Sequence, residues 1–314
     1  EESYQEIFKM IIMVVTPFIL STFIYNANTF INQTLYQKLM MDLHGLTDAG
    51  VAAHTGIVGK AVKVSNIPIA LSSAMASALI PGISGEYAKK NLKETRNQVA
   101  RAVKATMLIS IPAAVGMGVL AKPVMLVLYP QKASIDLSSS LLMVLSVSVI
   151  FYAVSTLSNA VLQSIGRLNS PVINAAIALV LQTAGLAAMI IFLDESYGPY
   201  YYAVTIILYA FLICFLNGGA LRNDLRYKQE VGRTFVRPVL ASAVMGAAAF
   251  FIYQGMYLLL HSNLVSLFVA VVLAAAVYFV MILLLGAVTE DELKMLPKGY
   301  LLVKIARKTR LLRS

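Results

Sequence analysis

The segment LVSLFVAVVLAAAVYFVMILLLGAV, residues 264–288, holds no charged residue, and only Ser266 and Tyr278 bring polar side-chain atoms into it. A helix needs roughly 20 mostly apolar residues to cross the hydrocarbon core of a bilayer. There it must satisfy its own backbone, because lipid offers no hydrogen bonds. This stretch meets both conditions and sets the fold class as an all-α integral membrane protein.

The same criterion, applied outward from that segment, gives eight spans: 7–36, 52–83, 102–129, 139–165, 170–193, 199–221, 236–260 and 264–288. Composition agrees. The 314-residue chain is 59% hydrophobic and 13% charged, with mean hydropathy +0.77, whereas a soluble domain carries about 25% charged residues. Several segments exceed the hydrocarbon thickness, so they tilt or project into the interface.

The net charge of +10 would raise nucleic acid as a partner in a soluble protein. Here the bases cluster between alternate spans, which reads as topology and excludes nucleic acid. Lys89, Lys90, Lys93, Arg96, Arg101 and Lys104 fall in one connection, Arg167 in the next on that side, and Arg222, Arg226, Lys228, Arg233 and Arg237 in a third. The stretch after residue 288 adds Lys294, Lys298, Lys304, Arg307, Lys308, Arg310 and Arg313. The other connections carry Lys38, Lys132, Asp194, Glu195 and a tyrosine-rich belt at 197–202. This alternation places both ends of the chain in the cytoplasm. The polar opening Glu1-Glu2-Ser3-Tyr4-Gln5-Glu6 runs straight into a span and reads as a chain cut inside a longer protein. Residues 289–314 read as a basic tail that is either amphipathic against anionic lipid or a generic positive-inside end.

Polar groups inside spans need partners or water, so they are the best pointers to function. The first span carries two stripes at helical spacing, Ser21, Tyr25, Asn28, Asn32 and Thr22, Asn26, Thr29, Gln33. Together they form one wide wet face, suited to lining a water-filled cavity or to interhelical hydrogen bonding. Eight polar side chains exceed what packing alone requires and favour the cavity. In the second span Lys60, Lys63 and Asn66 recur every three residues before Pro68. All fifteen acids lie in loops, ends or the tail, which suggests that the two ammonium groups await an anion such as a phosphate; snorkelling to the interface is the alternative. The fourth span repeats the pattern with Ser148, Tyr152, Ser155, Asn159 and Gln163, of which Ser155, Asn159 and Gln163 are secondary cavity candidates.

Other chemistries are poorly provided for. Cys214 is single and sits in an apolar run, and His44, His54 and His261 are scattered, so neither a disulfide framework nor a metal site is expected. A Gly-rich phosphate loop, paired carboxylates and a nucleophile–base arrangement are not found. The chain reads as neither an enzyme nor a cofactor binder.

Two stretches carry a resemblance. Val64-Ser65-Asn66-Ile67-Pro68-Ile69-Ala70-Leu71 continues to Ile80-Pro81-Gly82-Ile83-Ser84 before a basic connection, and Val161-Leu162-Gln163-Ser164-Ile165-Gly166-Arg167-Leu168-Asn169-Ser170-Pro171 joins two spans. With Asp291–Gly299, they resemble the multidrug/oligosaccharidyl-lipid/polysaccharide exporter superfamily, in its stage V sporulation protein B and lipid II flippase-like branch. The resemblance implies the second six-helix lobe (1–226), two additional transmembrane helices (227–288) and a basic amphipathic cytoplasmic tail (289–314) of a fourteen-helix exporter. It implies a bacterial cytoplasmic membrane protein that flips an undecaprenyl-pyrophosphate-linked saccharide by alternating access, with membrane lipids and an N-terminal half as partners. Lys60 and Lys63 would then meet the pyrophosphate of the anionic lipid-linked substrate, and Asn66, Tyr25, Asn26, Asn28 and Asn32 would line the cavity. Cation-coupled drug efflux on the same fold, or a non-transporting scaffold for envelope or spore assembly, are the competing expectations.

Overall fold

The structure, a computed structural model, describes residues 4–130, 132–226 and 229–288. In its first helix the side chains of residues 6–7, 10–11, 13–14, 17–18, 21–22 and 25 lie outside the description, as does that of Lys132. The predicted tail at 289–314 lies outside the described residues.

The described residues are helical and contain no strand. The helices are α1 (Tyr4–His44), α2 (Asp48–Ala88), α3 (Leu92–Val119), α4 (Ala121–Leu128), α5 (Ile135–Ser164), α6 (Asn169–Phe192), α7 (Gly198–Leu225), α8 (Arg237–Leu260) and α9 (Asn263–Leu284). By length and hydropathy, seven of them (α2, α3, α5, α6, α7, α8 and α9) are able to cross a membrane. The eight expected segments correspond to α1, α2, α3 with α4, and α5 to α9, so the third is two helices. The break has a local cause. Pro123 sits four residues after Val119, where its ring opposes that carbonyl and its nitrogen cannot donate, and the chain leaves helical geometry at Leu120.

α1 and α2 each run for 41 residues, about 60 Å, longer than the segments 7–36 and 52–83. Their extra turns carry Gln37, Asp42, His44 and Asp48, which hydropathy cannot distinguish from loop. Gly45 turns the chain with φ +66°, and Thr47 caps α2 by accepting from the Gly50 N–H at 3.2 Å. At this end His44 holds α1 to the α6–α7 connection. Its Nε2 lies 2.8 Å from Ile190 O, and its Nδ1 lies 3.4 Å from Glu195 Oε2. Beside it, the hydroxyl and N–H of Ser196 hold the Asp194 carboxyl below the usual carboxylate range.

α5 is the axis of the bundle. It packs against α2, α3, α4 and α7, and Leu141, Leu142, Leu145, Val149, Val161 and Leu162 on it are fully buried. α6 and α7 lie beside each other, with α1 on α6; α8 and α9 pair and lean on α3. In lipid no hydrophobic force drives helices together, so close backbone approach and interhelical hydrogen bonds do. Both devices are present. Gly246 of α8 lets that helix sit on α3, because a Cβ there would fall 2.8 Å from Val115 Cγ1. Ser72 and Ser110 join α2 to α3 through hydroxyls 2.9 Å apart.

A heavily bonded join lies between α1 and α6. Gln182 Nε2 donates to Asn28 Oδ1 at 2.6 Å and to Asn32 Oδ1 at 2.9 Å, while Asn32 Nδ2 donates to Asn28 Oδ1 at 2.5 Å. All three side chains are buried.

Two outcomes follow from this packing. Gly246→Val should lower the thermal midpoint in detergent by the equivalent of about 1–3 kcal/mol of overpacking, whereas Gly255→Ala, with open space around its Cβ position, should leave it unchanged. Gln182→Leu should cost about 1–2 kcal/mol because two buried carboxamides lose their bridge. Replacing Asn28, Asn32 and Gln182 together by leucine should recover part of that loss in the same melting experiment.

Candidate functional site

α1 is fastened to α6 and touches α2 only lightly. The separation of α1 from α2 opens a pocket of about 310 Å³, closed behind by α5 and α7. Gln182, whose bonds fix the depth of Asn28 and Asn32, lies eight residues from Ile190 at the His44 end. At 1.5 Å per residue the pocket is about 12 Å in from that end of the bundle.

α1 contributes Asn28, Thr29, Asn32 and Gln33, the adjoining members of its two polar stripes. α2 contributes Thr55, Gly59, Val62, Ser65 and Asn66, α5 contributes Tyr152, and α7 contributes Tyr202 and Ile206. None of these twelve lining residues is charged. The wall is supported from behind: Tyr202 stacks on the buried Tyr36 with ring centroids 5.4 Å apart, and the Tyr36 hydroxyl lies 3.2 Å from His54 Nδ1. Asn28 and Asn32 therefore both line the pocket and tie α1 to α6. Thr55 and Ser65 spend their hydroxyls on the backbone oxygens of Val51 and Val62.

The lysines stand elsewhere on α2. Lys63 is exposed. It is four residues from Gly59 and three from Asn66, so it flanks the lining stripe without belonging to it. Lys60 is half-buried and places its Nζ 5.7 Å from the ring centroid of Tyr129, a cation–π contact beyond α4. Asn26 is exposed and outside the lining, and the Tyr25 side chain lies outside the description.

The stripe on α5 divides. Tyr152 reaches the pocket. Ser155 is buried and bonds to the Tyr152 carbonyl at 3.0 Å. Asn159 accepts from Asn217 of α7 at 2.6 Å, and Asn217 accepts from Asn174 of α6 at 2.8 Å, a ladder of three carboxamides across three helices. Gln163 is half-buried near the Gly166 turn. Sequence reasoning passed over Gln182, Asn174 and Asn217, and it placed Tyr202 in the tyrosine-rich belt, whereas the structure buries that ring against Tyr36 in the pocket wall. Two of them had a signal: Gln182 and Asn217 are amides in otherwise apolar runs, where an unpaired amide would be costly.

The opposite side of α2 borders a second space, an apolar groove of about 730 Å³. Val64, Ile67, Pro68 and Leu71 of α2 face residues of α3, α8 and α9 across it, Pro112, Met245, Val271 and Tyr278 among them. The Tyr278 hydroxyl is occupied, bonded to Leu108 O at 2.8 Å. One helix thus separates a polar, uncharged pocket from a long aliphatic groove, with an ammonium group exposed on its surface. Among the described residues no group of three or more His, Cys, Asp or Glu could hold a metal ion.

The MatE family model matches residues 26–187, which contain α2 to α5, the second half of α1 from Asn26 on, and most of α6. Among curated proteins, the lipid II flippase MurJ of Bacillus subtilis (strain 168) is 25% identical over 284 residues, 88% of this chain and 50% of its own. The uncharacterized membrane protein YabM of the same organism is 23% identical over 281 residues, 85% of this chain and 51% of its own. The chain spans about half the length of these relatives. Among solved structures, the lipid II flippase MurJ in an inward closed conformation superposes with TM-score 0.66 at 15% identity, covering 90% of this chain and 55% of that one. A transporter of the multidrug/oligosaccharidyl-lipid/polysaccharide exporter superfamily from Pyrococcus furiosus gives 0.53 at 12% identity, covering 94% and 68%. These structural likenesses establish a shared fold. The family match reaches just over half of the chain and includes ten of the twelve residues that line the α1–α2 pocket, all but Tyr202 and Ile206, and with it the chain belongs to the MatE family of that exporter superfamily.

Proposed function

We propose that this chain forms one lobe of a flippase that moves a polyprenyl-pyrophosphate-linked saccharide, lipid II or another polysaccharide precursor, across the bacterial cytoplasmic membrane by alternating access. A second lobe would supply the facing wall, and both ends of the 1–314 segment would lie in the cytoplasm. The observation that carries this reading is the division of labour across α2. A substrate with an isoprenoid chain, a doubly charged linkage and a hydroxyl-rich head needs three chemically different surfaces close together. The apolar groove, the exposed Lys63 and the uncharged polar pocket offer those three on adjacent faces of one helix.

The alternative of cation-coupled drug efflux asks for acidic groups near the substrate path. The pocket lining has none, and the same absence favours an anionic substrate, since a carboxylate beside a pyrophosphate would repel it. The relative named as a lipid II flippase supports the choice of substrate class.

The test is to replace Lys60 and Lys63 by alanine, singly and together, in the whole protein and to measure lipid II exposed on the outer leaflet. Lys63→Ala should lower the transport rate about tenfold, the equivalent of one lost charge-assisted contact. Lys60→Ala should have a smaller effect, because that ammonium already lies over Tyr129. Unchanged exposure at unchanged protein level in the double variant would remove the pyrophosphate role from these lysines.

A further inference from the structure

The pocket between α1 and α2 has a composition that a transport path does not by itself require. Of its twelve lining residues, four bear carboxamides, three bear aliphatic hydroxyls and two are tyrosines. Two of the three aliphatic hydroxyls, Thr55 and Ser65, bond to backbone oxygens of their own helix, and two of the carboxamides, Asn28 and Asn32, hold α1 to α6. Thr29, Gln33 and Asn66 are not so engaged: each is exposed, and none bonds to another described residue. Three polar side chains from two helices therefore converge on one space between α1 and α2, well inside the two long helices, where polar groups need a partner.

What ligand satisfies such a set? An inorganic cation would be poorly served, because the lining has no carboxylate to balance its charge. An anion would be equally poorly served, since the lining has no ammonium or guanidinium group; Lys63 flanks the stripe and Lys60 is turned toward Tyr129. An apolar body would leave the amides unpaired at a cost of about 1–3 kcal/mol each. A neutral ligand that donates and accepts all around its rim, with an apolar face to lay against an aromatic ring, fits every wall. That describes a sugar ring. Carboxamides match ring hydroxyls and an acetamido group in both donor and acceptor sense, and the half-buried Tyr152 brings an aromatic ring to the same wall, beside the buried Tyr202. At about 310 Å³ the space is at the lower limit of small-molecule pockets, roughly 300–1,000 Å³, which suits one ring and not a chain of them.

We infer that this pocket is a saccharide subsite that receives a single neutral sugar ring, an N-acetylhexosamine or hexose, next to the pyrophosphate. The inference rests on the proposed flippase function and deepens it, because it separates the group that reads the sugar from the groups that hold charge and lipid. Thr29, Gln33 and Asn66 then decide which lipid-linked head is accepted, whereas Lys63 and the groove accept any polyprenyl pyrophosphate.

The experiment compares binding of two probes to the whole protein in lipid nanodiscs: a polyprenyl pyrophosphate bearing one N-acetylhexosamine, and the same polyprenyl pyrophosphate without the sugar. The wild type should bind the glycosylated probe more tightly. The double variant Gln33→Leu/Asn66→Leu, made at exposed positions so that folding is spared, should weaken the glycosylated probe about tenfold and leave the sugarless probe unchanged. Lys63→Gln should weaken both probes by the same factor. If the wild type binds both probes equally, the saccharide subsite is overturned while the flippase reading stands. If it binds neither, that reading falls and the subsite with it. If the Leu variant instead loses a thermal shift produced by sodium over choline chloride, with probe binding unaltered, the pocket is a cation site and the inference is wrong.

Discussion

The carboxamide of Gln182, donating at once to Asn28 and Asn32, is the bond on which the rest of this helical bundle depends. In water such a bridge would be weak, because each group could exchange its partner for solvent. In a bilayer the groups have nowhere else to go, so their joining sets where α1 rests. It rests on α6. It therefore stands away from α2, and the space left between them is the pocket. A strictly apolar α1 would have been free to close against α2 and fill it.

α2 is the other side of that arrangement. In its most apolar stretch only 17% of residues are buried within the lobe, against 56% in α3. Yet its sequence is not simply lipid-facing. Gly59, Val62 and Asn66 face the polar pocket, Val64, Ile67 and Leu71 face the aliphatic groove, and Lys63 is exposed beside both. A helix that turns 100° per residue can present three chemistries within three turns. A lipid-linked head group calls for such a juxtaposition, whereas a soluble drug or a bare ion does not.

Much of this was legible in the residues. Long uncharged runs located the eight helical segments, of which seven hold helices able to cross a membrane by length and hydropathy, because a bilayer leaves few alternatives to a 20-residue apolar helix. The stripes on the first span located one wall of the pocket, because helical spacing groups Asn28 with Asn32 and Thr29 with Gln33. Three things were not legible. The interruption at Leu120 turns on one proline ring meeting one carbonyl, which hydropathy averages away. The use of Asn159 as a rung between helices depends on Asn217 and Asn174 arriving from elsewhere in the chain, and a stripe has the same spacing whether it faces water or a neighbour. The different stations of Lys60 and Lys63 depend on where Tyr129 ends up after the break in the third segment. In each case the missing information was the identity of the facing helix, which a single helix's periodicity does not contain.

That distinction bears on how charge is used here. A membrane transporter can spend charge inside its pocket, where each ionised group is costly and needs a counter-charge, or at the pocket's edge, where water still screens it. This lobe takes the second course on α2. The lining is neutral throughout, and the ammonium of Lys63 remains exposed one turn away. For an anionic substrate that must leave as well as enter, this placement is the more workable one. A pyrophosphate buried against unscreened lysines would be held too tightly to release, whereas one held at a wet edge exchanges protein contacts for water at little cost. On the function proposed above, discrimination would fall to the neutral carboxamides, whose hydrogen bonds are individually weak but fail together when the shape is wrong.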